Sequence, residues 1–192
     1  MVFKAKRRTV VTTAAAVVVL LVAALVVTVF THGNSSSASD DGNMVAYPAG
    51  HRPAAPDFAA TSLTGAPINF ASYRGKIVVL NVWGSWCYAC RQEHAALLDI
   101  ARQHVLPIVG LDYMDQREKA QQWLTQLGNP YASVAFDTDG RTAIDWGVYG
   151  APETFLVDGQ GRVIYKFISP MTPEVWQHDF LPRIEAARRS GA

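Results

Sequence analysis

Cys87 and Cys90 stand three residues apart in the segment Trp86-Cys87-Tyr88-Ala89-Cys90, and they are the only two cysteines in the 192-residue chain. At this spacing two side chains meet across one helical turn and can close a disulfide. A continuous apolar run precedes the segment and a helical pattern follows it, so the pair falls where a buried strand gives way to a helix. There a thiol faces unpaired backbone N–H groups and the positive end of the helix dipole, both of which favour the thiolate. Cys87, at the helix edge, is the expected exposed attacker. Cys90, one turn further in, is the expected resolving thiol that releases Cys87 from a mixed disulfide. Competing readings are a structural disulfide and half of a metal site. A loop this short removes little chain entropy. Zinc needs two further ligands, and His94, read as a helix-face residue, is the only histidine nearby. A copper-handling site built from both thiols and one distant histidine stays open as a binding-protein alternative. The redox reading needs no metal and no cofactor beyond the Cys87–Cys90 disulfide itself.

The elements that must position the pair alternate strand and helix. Residues 58–63 and 67–70 read as two short strands around the turn Thr64-Gly65-Ala66. Residues 76–83 (KIVVLNVW) form a nearly unbroken, β-branched apolar run, the mark of a central strand covered on both faces. Residues 90–104 show helical periodicity, and 107–111 (PIVGL) is a second buried strand. A helix is expected over 115–127, with Asp115 as its N-cap and Gly128 as its stop. Residues 154–158 and 162–168 make a hairpin around Gly159-Gln160-Gly161. Thr172 and Pro173 open a last helix running to about Arg189, which Pro182 should kink or split. A βαβ unit, a further strand, a hairpin and a closing helix describe a mixed sheet with helices on both faces.

The first thirty residues are of another kind. Thr9 to Thr31 is a run of uncharged residues, and residues 1–31 hold four basic residues and no acid. At about 1.5 Å per residue the run reaches roughly 34 Å, enough to cross a bilayer core of about 30 Å. Basic residues before it and none just after it place the N-terminus in the cytoplasm and the rest outside. The stretch is longer than the apolar part of a cleaved signal peptide, and no small-x-small site follows it, so an uncleaved anchor is expected. The organisation read from the sequence is therefore a cytoplasmic tip (1–8), a transmembrane anchor (9–31), a flexible Ser/Gly/Asn/Asp spacer (32–50) and a folded domain (51–192). Over the whole chain 17 basic and 16 acidic residues leave a net charge of +1, which offers no footprint for nucleic acid. An apolar content of 49% excludes a largely disordered chain.

With these residues in view, the chain resembles a known family. VVLNVWGSWCYACRQEH is similar to the active-site segment of the membrane-anchored thioredoxin-like proteins of cytochrome c maturation. Gly147-Val148-Tyr149-Gly150-Ala151-Pro152-Glu153-Thr154-Phe155-Leu156-Val157-Asp158 is similar to the signature of the CcmG/DsbE thiol:disulfide interchange proteins. Val109-Gly110-Leu111-Asp112-Tyr113, followed by Asp115-Gln116-Arg117, resembles the insert that sets this group apart from plain thioredoxins. The resemblance runs from about Pro56 to Arg188 and includes the anchor. It implies a thioredoxin-like α/β fold, a central mixed sheet flanked by helices, with Cys87 and Cys90 as the redox pair. It makes Pro152 a cis-proline facing that pair, where Gly150, Ala151 and Pro152, with Tyr88 opposite, would lie along an extended substrate segment.

Other residues take roles from the same comparison. Asn81 lies six residues before Cys87, where plain thioredoxins carry a buried acid, and an amide cannot act as a general base. Proton handling for Cys90 would then fall to water or Glu153. Asn81 reads equally well as a hydrogen-bonded core group. A Glu153 carboxylate near the pair would raise the Cys87 pKa and make the dithiol more reducing; the alternative is a surface glutamate at a strand start. Trp86 is expected to shield Cys87 or touch substrate. One departure stands out: family members often carry proline between the cysteines, and this chain has Tyr88-Ala89, so a redox potential does not transfer.

The resemblance implies a reductant in the periplasm, anchored in the bacterial inner membrane by a single span. Its substrate would be the disulfide of apocytochrome c, within the haem-attachment Cys-x-x-Cys-His, or of a thiol carrier holding it. A membrane electron donor of the DsbD or CcdA kind would recharge it. The broader alternative is a general extracytoplasmic reductase of the TlpA or ResA type. Peroxiredoxin-like chemistry is disfavoured, because Gly84 occupies the place of the threonine in Thr-x-x-Cys.

Overall fold

The computed structural model describes residues 42–191. Its main sheet is built around β4 (Val78–Trp83), buried at every position as the unbroken apolar run requires. Parallel neighbours follow on one side, β5 (Ile108–Tyr113) and then β6 (Ser133–Asp137). On the other side lie the antiparallel strands β7 (Glu153–Val157) and β8 (Val163–Phe167), and β1 (Met44–Ala46) closes that edge. The strand order is β1-β8-β7-β4-β5-β6. A separate hairpin, β2 (Ala59–Thr61) with β3 (Pro67–Asn69), covers part of the β6 edge through a Ser62–Ala135 bridge.

Helix α1 (Tyr88–Arg102) leaves β4 directly and α2 (Arg117–Leu127) follows β5. The short α3 (Arg141–Asp145) follows β6. The closing helix α4 combines Pro173–Val175, a π-turn over Trp176–Phe180, and Leu181–Arg189. Thr172 caps it by accepting the Val175 N–H at 3.2 Å. The expected disturbance at Pro182 takes the form of that π-turn. Proline offers no N–H to the ladder, and the Leu181 N–H reaches back to the Trp176 carbonyl instead.

Strand alternation sorts the sheet into two apolar faces. Val79 and Trp83 of β4 and Leu156 of β7 pack with Leu97 and Ile100 of α1, Trp123 of α2, and Trp176, Phe180 and Ile184 of α4. Val78, Leu80, Val82, Phe155 and Val157 point the other way, onto Phe70, Ala143 and Trp146. Both cysteines belong to the first face.

Three expectations change. Met44–Ala46, assigned to the spacer, is the edge strand, held by backbone pairing to β8 that its short, half-exposed sequence does not announce. Asp115 does not cap α2: Gln116 occupies the N-cap without a side-chain bond, and Asp115 turns back to Ser85. Strand β6 and helix α3 had no place assigned. The anchor at 9–31 and the tip at 1–8 lie outside the described residues, among which no helix is long and apolar enough to cross a membrane.

Phe180 is fully buried, stacked on Trp176 with ring centroids 5.6 Å apart and set edge-on to Tyr165 at 5.2 Å. Phe180→Ala is expected to lower stability by about 3–5 kcal/mol in denaturant unfolding.

Candidate active site

Cys87 is the N-cap of α1 and takes a β-region backbone, φ −85° and ψ 110°, as a cap should. Its sulfur accepts the Cys90 N–H at 3.0 Å, and the two thiols are joined as a disulfide with Cα atoms 5.3 Å apart. The same sulfur lies 3.4 Å from the Ala151 carbonyl oxygen, and the Ala151–Pro152 peptide bond is cis. The strand-to-helix junction and the loop before β7 thus converge on one atom. Cys87 is 4% exposed and Cys90 2%, so both are buried in the oxidised pair and the exposure expected of Cys87 is not found. Around it, Trp86 (53%), Tyr88 (76%) and Met114 leave large apolar side chains open to solvent.

The cysteine loop is tied to the loop after β5. Asp115 accepts the Ser85 N–H at 2.5 Å and the Ser85 hydroxyl at 2.8 Å. The Trp86 indole N–H donates to the Tyr113 carbonyl at 3.0 Å, and the two rings meet edge-on. Gly84 is needed for this, since a Cβ there would sit 2.5 Å from the Trp86 indole nitrogen.

Beneath the disulfide lies a buried polar cluster centred on Asn81. Its side-chain amide donates to Glu93 Oε1 at 2.9 Å and to Thr154 Oγ1 at 3.1 Å, and its oxygen accepts the Tyr131 hydroxyl at 2.8 Å. The second Glu93 oxygen accepts the Met171 N–H at 2.7 Å. Glu93 has no exposed surface. Burial pushes its pKa from 4.5 up to about 7, against the pull of its bonds from Met171 and Asn81. Glu93 lies one helical turn after Cys90 and on the same face of α1, both in the buried stripe that includes Leu97.

Glu153 takes a different position. It alternates with Thr154 along β7, so it faces the side of the sheet opposite the cysteines, beside Phe155. Its carboxylate lies 2.9 Å from the Lys166 ammonium and accepts the Tyr149 and Gly150 N–H groups at 2.7 and 3.3 Å. Lys166 also donates to the Gly147 carbonyl at 2.7 Å and sits over the Tyr149 ring. Glu153 is therefore not the surface glutamate of one reading, and its charge is matched by a cation rather than turned on Cys87. What it holds is the 147–150 loop leading into Pro152. His94 is engaged on both ring nitrogens: Nδ1 accepts the Trp123 indole N–H at 3.2 Å, which leaves Nε2–H to donate to the Gly128 carbonyl at 3.0 Å. Burial lowers its pKa, in keeping with a neutral structural imidazole.

Of the residues singled out from the sequence, Cys87, Cys90, Trp86, Tyr88, Gly150, Ala151 and Pro152 come together at one end of the sheet. Asn81 lies below them and Glu153 behind them. Glu93 was missed. Its signal was a charged side chain on the apolar stripe of α1, three residues after Cys90.

Residues 52–166 match the AhpC/TSA family. The chain belongs to that family. Within the AhpC/TSA family it is similar to the thiol:disulfide interchange protein DsbE of Escherichia coli, with 46% identity over 119 residues, 62% of this chain and 64% of that protein. It is also similar to the thiol:disulfide interchange protein CycY of Rhizobium leguminosarum, with 40% identity over 129 residues, 67% of this chain and 69% of the relative. The match with the Escherichia coli protein thus spans a little under two thirds of that relative's length. Among solved structures, a secreted thiol-disulfide isomerase from Corynebacterium glutamicum superimposes with a TM-score of 0.68 at 27% identity, covering 79% of this chain and 97% of that one. The thioredoxin-like α/β expectation holds for the described residues.

The pKa of Glu93 sets a sign for stability. Folded, the carboxyl keeps its proton up to about pH 7; unfolded, it loses it near 4.5. Its contribution is present at low pH and is lost as pH rises through that window, by on the order of 3 kcal/mol. Unfolding free energies measured at pH 5 and pH 8 should therefore fall less in Glu93→Gln than in the parent chain. Equal falls in the two proteins would place the proton elsewhere.

Proposed function

We propose that the protein is a thiol:disulfide oxidoreductase that reduces disulfides in other proteins through Cys87 and Cys90. The observation that supports this most is the placement of one sulfur. Cys87 Sγ receives the Cys90 N–H at a helix N-terminus and faces the Ala151 carbonyl beside a cis-proline. The N-terminal donors stabilise a Cys87 thiolate in the reduced protein. The Ala151 backbone can pair with an extended chain, and the open side chains of Trp86 and Tyr88 supply apolar contact beside it.

The reaction balances as two exchanges. The Cys87 thiolate attacks a substrate disulfide, forming a mixed disulfide and releasing one substrate thiolate. Cys90 then gives up its proton and attacks Cys87, which frees the second substrate thiol and leaves the Cys87–Cys90 disulfide. Two electrons pass from the pair to the substrate. Glu93, with a pKa near neutrality and one turn from Cys90, is the carboxyl suited to receive and return the Cys90 proton. The proton-handling part expected of Glu153 or water passes to Glu93, because Glu153 is occupied by Lys166.

In the full reading, residues 9–31 anchor the domain to the bacterial inner membrane and hold it in the periplasm. The substrate is the disulfide of apocytochrome c, or of a thiol carrier in cytochrome c maturation. The oxidised pair is recharged by a membrane electron donor of the DsbD or CcdA kind. The resemblance in the cysteine segment and in residues 147–158 supports this, as do the DsbE and CycY names of the relatives. Covalent haem attachment needs free thiols in a compartment that favours disulfides, which is where an anchored reductant has a use.

Cys90→Ser should stop the second exchange and accumulate mixed disulfides on Cys87, while Cys87→Ser should abolish both trapping and turnover. Partners trapped in cells by the full-length Cys90→Ser chain, identified by mass spectrometry, should carry Cys-x-x-Cys-His. Trapped proteins without that motif would point to general disulfide reduction, and no trapping would overturn the reading.

A further inference from the structure

Asp112 is the second buried carboxyl on the cysteine side of the sheet. It lies on β5 opposite Trp83 of β4 and Phe136 of β6, is 0% exposed, and neither of its oxygens has a hydrogen-bond donor among the described residues. A bare carboxylate in that position would lose its hydration without replacement, which disfavours the charged form. Its neighbour makes this worse. Asp115 is close enough to oppose the charge of Asp112 and to share a hydrogen bond with it. Asp115 already accepts from the Ser85 N–H, the Ser85 hydroxyl and the Gln116 N–H, so its oxygens have no proton to spare for Asp112. Two acceptors that face each other are satisfied only when one carries a proton.

The other groups around Asp112 offer no cation in its place. Arg117, at the start of α2, weakly favours the charged form, but its guanidinium donates to the Ser62 carbonyl at 2.6 Å and lies over the Phe136 ring. Tyr131, before β6, spends its hydroxyl proton on Asn81. Glu93 on α1 is joined to Tyr131 only through Asn81. Asp137 of β6 turns its carboxylate to the Thr142 and Ala143 N–H groups of α3. Burial, followed by the Asp115 charge, raises the Asp112 pKa from 3.8 to about 8.

We propose that Asp112 is a positioning residue for the exchange reaction: it holds a proton shared with Asp115, and that proton keeps Asp115 bound to Ser85 and so fixes the loop that carries Cys87. Ser85 stands two residues before the attacking cysteine, and its N–H and hydroxyl both end on Asp115. With the proton present, Asp112 donates to Asp115 and one negative charge serves the loop. Once the proton is lost, two carboxylates repel across a short gap and the Ser85 anchor loosens. This inference rests on the oxidoreductase reading for its effect on exchange, but not for the shared proton itself.

Asp112→Asn separates the two, because an amide keeps the shape and still donates an N–H to Asp115 but does not titrate. In the reduced full-length chain, the rate of Cys87 alkylation by iodoacetamide is measured against pH for the parent and for Asp112→Asn. The difference between the two curves should be one ionisation near pH 8, present in the parent and lost in the variant. Infrared difference spectra of the same proteins should show, besides the component from Glu93, which titrates near pH 7 in both, a protonated-carboxyl component that is lost in the parent near pH 8 and is missing from Asp112→Asn. Asp112→Ala, which offers no donor, should lose the ordered Ser85 contact already at neutral pH, read as faster amide exchange at Ser85. Superimposable alkylation curves, or a carboxyl band unchanged by Asp112→Asn, would overturn the proposal. If the protein reduced no disulfide while the band titrated as stated, the oxidoreductase reading would fail and the shared proton would stand.

Discussion

One side chain amide holds the site together. Asn81, fully buried in the central strand, bonds at once to α1 through Glu93, to β7 through Thr154 and to the segment before β6 through Tyr131. Glu93 extends the chain of bonds to Met171, at the entry to α4. Each member is satisfied by another, which is what lets polar groups stand in the apolar face that carries the cysteines. The helix that presents Cys87, the strand that follows the cis-proline and the closing helix are therefore referred to one point. Gly110 makes room for this: a Cβ there would meet the Trp83 indole nitrogen at 2.8 Å and the Tyr131 ring at 3.0 Å, where those rings stack.

Two glutamates show how environment divides labour between like groups. Glu153 is buried but faces Lys166 and two backbone N–H groups, so it serves as a fixed charge that braces the loop before Pro152. Glu93 is equally buried and has donors but no cation, so burial wins and its proton is held to near neutrality. A proton that comes and goes at neutral pH beside a resolving cysteine serves exchange chemistry; a carboxylate clamped by lysine does not. The contrast explains why the glutamate next to the cis-proline drew attention in the sequence while the one in the helix is the better placed to hold a proton near neutrality.

The cysteine pair, its strand-to-helix setting and the two central strands were legible because local pattern decides them: an unbroken apolar run, then Cys-x-x-Cys, then helical periodicity. Asn81 was legible as a polar residue inside a buried strand, and its core-group reading matches its bonds. Strand β1 was not, because Met44–Ala46 is ordered by pairing with β8 across more than a hundred residues, and nothing local marks it. Asp115 looked like a helix cap because its sequence position suits one, and the competing donor, Ser85, comes from another loop. The partner of Glu153 was equally remote: Lys166 lies on the neighbouring strand, and the side of the sheet that the glutamate faces follows from register.

In the proposed reaction Cys87 and Cys90 pass two electrons to a disulfide in another polypeptide. Its most direct measurement is a single turnover: fully reduced protein mixed with a disulfide-containing peptide in slight excess, quenched with acid, and both partners weighed by mass spectrometry. One Cys87–Cys90 disulfide should form for each peptide disulfide lost, with the peptide recovered as the dithiol. Peptide reduction without closure of the pair, or a pair that stays reduced beside an intact peptide, would contradict it.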